Sequence, residues 1–133
     1  MIIYKDTHEF KESDLKDLFL SVEWASGAYP EKLKVGMKNI KTVFSAWDNE
    51  RLVGLISAMD DGIMNAYVNY LLVNPAYQGK HIGKTLVDMV KEKYKDYLRI
   101  SIIGYYDKVP FYEKCGFKVN DEAKPLHITS LWT

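Results

Sequence analysis

The sequence predicts one mixed α/β domain over residues 1–133, built on a mostly antiparallel sheet. Two observations carry this. Thr42 to Trp47, Leu52 to Ala58 and Met64 to Val73 are three strand-patterned runs. They are joined by the short polar turns Asp48-Asn49-Glu50 and Asp60-Asp61-Gly62, the pattern of an antiparallel meander. After Asn74-Pro75, the residues Ile82, Leu86, Met89, Val90, Tyr94 and Tyr97 recur at helical spacing, so a long amphipathic helix follows the third run. A length of 133 residues with 47% apolar content supports one buried core.

The remaining elements follow in order. Ile2 to Lys5 is a short β-branched strand. Asp6 or Thr7 is expected to cap a first helix, with Glu9 in a capping-box position and Phe10, Leu15, Leu18, Phe19 and Val22 as its apolar face. Trp24 to Pro30 interrupts the pattern as a loop, and Leu33, Met37 and Ile40 mark a second short helix. Leu98 to Ile103 reads as a buried strand and Val109 to Lys114 as a short helix stopped by Gly116. Phe117 to Val119 and Leu126 to Trp132 are expected to close the chain as strands.

Charge and composition narrow the function. Eighteen basic residues balance eighteen acidic ones, so the chain lacks the overall basic field of a nucleic-acid or membrane-surface binder. The balance is uneven along the chain. Residues 1–31 carry seven acids and three lysines, whereas residues 78–95 carry five lysines and two acids. No apolar run approaches the roughly 20 residues of a membrane span, and no signal-peptide pattern opens the sequence. With Cys115 as the single cysteine, a reducing cytoplasm is the expected compartment. His8, His81 and His127 lie far apart, so no metal-ligand spacing appears and no metal is expected.

The segment from Val73 to Thr85 lies between a strand and a helix start and contains Gly79 and Gly83. Free N–H groups and the positive dipole end make such a turn an anion cradle. Gly83-Lys84-Thr85 imitates the end of a P-loop, but that loop needs four residues between its glycines, and here only Lys80, His81 and Ile82 intervene. The stretch instead presents Gln78, His81 and Gly83 in the pattern Gln/Arg-x-x-Gly-x-Gly/Ala, with His81 at the middle glycine. Further on, Phe111-Tyr112-Glu113-Lys114-Cys115-Gly116-Phe117 gives the pattern Phe-Tyr-x-x-x-Gly-Phe.

These two motifs, one helix and one strand apart, resemble the GNAT family of N-acetyltransferases over nearly the whole chain. The resemblance implies a sheet of six to seven strands with about four helices and a splayed groove for acetyl-CoA. It places the pyrophosphate on the backbone of Gly79, Lys80, His81, Ile82, Gly83 and Lys84, with Gln78 opening the motif. It places the pantetheine arm along Leu71 and Val73, with the Leu71 N–H as an oxyanion donor and Tyr112 as general acid. A thiol near 8.5 and a tyrosine near 10 are matched to within about two units for that proton transfer. The His81 side chain either meets the pyrophosphate or points to solvent while its N–H serves.

A base for the amine is open among Glu23, Asp60, Asp61, Asp107 and a water chain. Cys115 lacks a basic partner nearby in sequence and is expected to be a small core residue. By the resemblance, Trp24 and Tyr29 line the acceptor site, and aromatic faces suit a small primary amine. A protein N-terminus or lysine is the alternative acceptor, and a non-catalytic acetyl-CoA-binding or sensing module is the alternative function. A monomer and a homodimer are both open.

Overall fold

The computed structural model describes all 133 residues. Its strands are β1 (Ile2–Lys5), β2 (Thr42–Asp48), β3 (Arg51–Asp60), β4 (Asn65–Val73) and β5 (Arg99–Ile102). Its helices are α1 (Glu12–Ser21), α2 (Pro30–Asn39), α3 (Ile82–Lys93) and α4 (Val109–Lys114). The sheet runs in sequence order, with β1 to β4 antiparallel and β4 parallel to β5. The parallel step follows from connection length, since α3 must cross back over the sheet before β5 begins.

Each face of the sheet carries its own core. On one, Leu15, Leu18 and Phe19 of α1 and Leu33 and Met37 of α2 bury against Val43, Leu55 and Leu72. On the other, Ile82, Leu86, Val87 and Val90 of α3 bury against Val53, Ile56, Ala66 and Val68. Tyr94 at the end of α3 is buried and donates to the Asp60 carboxylate at 2.7 Å, while Tyr97 donates to the same group at 3.3 Å. Partial burial pushes Asp60 up, but the Tyr94 bond, the Gly62 N–H, the Lys41 charge and the Tyr97 bond outweigh it, so the carboxyl sits below its usual value. Burial, with Asp60 adding to it, pushes Tyr94 up to about 12. Asp61 accepts from the N–H groups of Ile63, Met64 and Asn65, which builds the β3–β4 turn.

Three expectations need correction. The sheet has five strands, not six to seven: Phe117 to Val119 and Leu126 to Trp132 form no strand. Phe117 packs against the α3-side core, but Val119, Leu126, Ile128 and Trp132 are exposed. The segment after Gly116 instead runs beside β5 and bounds a cleft of about 1050 Å³ with it. The first helix starts at Glu12 with Lys11 as an uncapped N-cap; Thr7 turns back on itself, its hydroxyl accepting from the Glu9 N–H at 3.0 Å. The loop at Trp24 to Pro30 contains a short 3-10 turn, Ala25–Ala28.

Candidate active site

β4 creates the site by leaving its neighbour. It pairs with β5 only from Asn65 opposite Arg99 to Val68 opposite Ile102, while residues 69 to 73 continue alone on that side. The departure coincides with a bulge. On β3, Ser57 and Ala58 face Tyr70 and Val68, so Asn69 is the extra residue, and its side-chain oxygen accepts from the Ser57 hydroxyl at 2.9 Å. A bulge shifts the side-chain alternation by one and sharpens twist. Accordingly Ala66 and Val68 lie in the α3-side core, whereas Tyr70 and Leu72 turn to the α1–α2 side and Leu71 and Val73 rejoin the α3 side.

The free edge of β4 can be assigned from one bond. The Asn74 N–H donates to the Val53 carbonyl at 2.8 Å, towards β3. Backbone groups alternate sides along a strand, so the amides of Leu71 and Val73 face away from β3, into the gap. The Val73 carbonyl there accepts from the Gln78 side chain at 3.2 Å.

Beyond β4 the chain is wound for close approach. Asn74 accepts from the Ala76 N–H through its side chain, and Tyr77 donates to Asp48 at 2.5 Å, tying this loop to the β2–β3 hairpin. Gly79 and His81 both adopt positive φ, at 81° and 63°. No protein atom accepts from any amide N–H between Gly79 and Lys84; the first amide bonded into α3 is Thr85, to His81. Six consecutive unpaired donors at the positive end of a helix form a cradle suited to a polyanion. Gln78, Lys80, His81 and Lys84 are exposed, and Lys84 is paired with Asp88 at 2.7 Å, which holds its ammonium above the usual lysine value.

His81 sits at the N-cap of α3 in the left-handed region, with no side-chain hydrogen bond and an exposed ring. A residue with a Cβ is disfavoured there by about 1–2 kcal/mol, partly offset by the backbone entropy of glycine. His81→Gly is therefore expected to stabilise the fold by about 0.5–1 kcal/mol, read as a rise of a few degrees in thermal denaturation. With the backbone donors unchanged, affinity for acetyl-CoA should hold within about twofold at both pH 5.5 and pH 8.

α4 lies across the open end. Phe111 reaches the β4–α3 side, where a Cβ on Gly83 would stand 3.4 Å from its ring and 3.8 Å from Val73. Tyr112 reaches the β5 side, its ring so close to Gly104 that a Cβ there would stand 2.7 Å from it. Phe111 and Phe117 hold Tyr112 edge-on at 5.2 and 5.9 Å between ring centres. Burial, with a smaller contribution from Cys115, pushes the Tyr112 hydroxyl up to about 12. Relative to a thiol near 8.5, the mismatch for full proton transfer grows from the expected two units to about 3.5. Cys115 is buried and its thiol is raised by desolvation, the state of an inert core thiol.

The expected acceptor residues separate. Trp24 packs with Phe19 and Tyr70, at 6.0 and 6.3 Å between ring centres, whereas Tyr29 is 44% exposed and outside that cluster. The 24–28 turn is held from the far end of the sequence: Thr133 accepts from the N–H groups of Ala25 and Ser26. Among the base candidates, Asp60 and Asp61 lie at the opposite end of β4 from the gap and are occupied by the bonds described above. Phe111 entered the sequence reading as a motif residue without a role of its own, whereas Tyr70 and Gly104 escaped it. Tyr70 depends on the bulge and Gly104 on a contact eight residues away.

The pattern described as the Acetyltransferase (GNAT) domain matches residues 10–125. The chain is similar to the uncharacterized N-acetyltransferase ycf52 of Pyropia yezoensis, 28% identical over 110 residues, which is 78% of this chain and 63% of that protein. It therefore spans less than two-thirds of that relative's length. It resembles a GNAT-family acetyltransferase from Streptococcus pneumoniae TIGR4 with a TM-score of 0.83 at 26% identity, covering 98% of this chain and 99% of the other. A probable acetyltransferase from meticillin-resistant Staphylococcus aureus shares the fold, with a TM-score of 0.87 at 20% identity over 97% of this chain and 99% of its own. With a match across most of its length, and with the splayed strand leading into an amide cradle, the chain belongs to the GNAT family of acetyltransferases, whose co-substrate is acetyl-CoA.

Proposed function

We propose that the protein transfers the acetyl group of acetyl-CoA to a small primary amine by direct attack in a ternary complex. One observation carries this reading: six free amides from Gly79 to Lys84 continue into the unpaired edge of β4, and Tyr112 closes the same gap from α4. The cradle binds the pyrophosphate, and Gly83 keeps the backbone approachable. The Val73 and Leu71 amides extend the gap edge as a further strand would, and the Leu71 N–H stabilises the oxygen of the tetrahedral centre. The neutral amine attacks the thioester carbonyl carbon, the C–S bond breaks, and the proton lost from nitrogen ends on sulfur. Tyr112 donates a hydrogen bond to the sulfur as charge develops. At about 12 it serves as a donor along that path and is not a reservoir that gives up its proton beforehand. With Asp60 and Asp61 engaged elsewhere, Glu23, Asp107 or water takes the proton from the incoming ammonium.

A thiol-release assay with amines, amino-terminal peptides and lysine peptides, followed by product mass, tests this. Turnover is expected with a small amine, giving a product heavier by one acetyl group. Saturable acetyl-CoA binding without turnover on any acceptor would replace the reading with a sensing module.

A further inference from the structure

Tyr70 has no role so far, yet its position is informative. It is the first residue after the bulge and the immediate neighbour of Leu71, with its side chain on the opposite face of β4. Its ring is fixed edge-on against Phe19, at 5.1 Å and 82°, and tilted by 40° against Trp24. Tyr70 and Trp24 are each only partly buried, so part of each residue in this aromatic corner reaches solvent. The Tyr70 hydroxyl has no partner in the protein. It is also not sealed, since the only sealed side-chain polar atom without a partner is the Ser26 hydroxyl, on the neighbouring turn. Burial and Tyr67 raise the Tyr70 hydroxyl, so it stays protonated and uncharged in the working pH range.

We propose that Tyr70 and Trp24 form the specificity corner of the acceptor site, which selects a primary amine carried on a flat aromatic body. This rests on the acetyl-transfer reading above and names the acceptor class for that same site. A polyamine presents several ammonium groups and needs a carboxylate for each. The corner itself offers π faces and an unpaired hydroxyl; the carboxylate nearest to it in sequence is the single exposed Glu23, and Asp60 and Asp61 are bound at the far end of the strand. Offset and edge-on ring contacts add about 0.5–1.5 kcal/mol beyond area burial, so an aryl group gains roughly two- to tenfold over an alkyl group of equal size.

The test compares 2-phenylethylamine with hexylamine on the wild-type protein, Tyr70→Leu and Tyr70→Phe. Leucine keeps apolar volume and removes the aromatic face, whereas phenylalanine keeps the ring. Tyr70→Leu is expected to raise the KM for 2-phenylethylamine about two- to tenfold, to change that for hexylamine by less than that for 2-phenylethylamine, and to leave acetyl-CoA affinity unchanged. Tyr70→Phe should retain the aryl preference. In parallel, saturable shifts of the Trp24 indole N–H on titration with 2-phenylethylamine in the presence of coenzyme A should weaken in Tyr70→Leu. Equal losses for both amines, or no loss for either, would overturn the corner. If no amine turns over but the Trp24 response and its loss in Tyr70→Leu persist, the corner stands and the acetyl-transfer reading fails. Absence of any Trp24 response in the wild-type protein overturns the corner.

Discussion

Tyr112→Phe is expected to lower kcat about a hundredfold while acetyl-CoA affinity changes less than about threefold. The ring, its packing on Phe111 and Phe117 and its contact with Gly104 are all kept; only the proton donor is removed. General acid catalysis commonly contributes about 10²–10⁴-fold, and the raised hydroxyl places Tyr112 at the lower end, because its proton is held more tightly than the leaving thiolate requires. The pH profile follows in sign. A tyrosine held up at about 12 is protonated below that value, so it imposes no alkaline loss of rate until pH approaches 12. The rate should rise with pH as the acceptor ammonium loses its proton. The same shift bears on stability: the folded state favours the protonated hydroxyl, so this contribution is complete below about pH 10 and disappears as pH rises through about 12. Steady-state rates of both proteins between about pH 6 and 10 check the first two statements, and alkaline denaturation of Tyr112→Phe checks the third.

Gly104→Ala is expected to be nearly as damaging, although the added group is a methyl. An alanine Cβ would stand 2.7 and 2.8 Å from two carbons of the Tyr112 ring, closer than atoms tolerate. Either the ring or the end of β5 must move. A ring edge is held by Phe111 and Phe117, so the displacement passes to the hydroxyl. Misplacing a catalytic group by about 1 Å costs up to 10²-fold, so kcat should fall about 10- to 100-fold. The paired variant separates this from general damage: in a Tyr112→Phe background, Gly104→Ala should cost little more, because the two changes act on one group. Additive losses would show that Gly104 acts through something other than the tyrosine.

Much of this was legible in the sequence, for identifiable reasons. The meander from Thr42 to Val73 was readable because short strand-patterned apolar runs and the polar turns between them are local signals. The cradle was readable because Gly79 and Gly83 mark a turn before an amphipathic helix. The register of β4 was not, because Asn69 becomes an extra residue only when β3 is laid beside it. That single residue moves Tyr70 onto the α1–α2 face and Leu71 onto the α3 face. The terminal strands were misread for a related reason. Leu126, Ile128 and Trp132 alternate as a strand does, but alternation records what a segment can pair with, and here no strand pairs with it. The tyrosine's hydroxyl is raised by burial; Phe117 beside it belongs to the motif, but the close approach of Gly104 is a contact that the motif does not announce.

The central claim is that one continuous path, from the free amides at Gly79 to Lys84 along the unpaired edge of β4, receives acetyl-CoA. Titrating coenzyme A into isotope-labelled protein while following backbone amide chemical shifts tests it directly. The account predicts saturable shifts largest at Leu71, Val73 and residues 79 to 84, with amides of α1 and α2 little changed. Shifts confined to other surfaces, or none at millimolar coenzyme A, would contradict it.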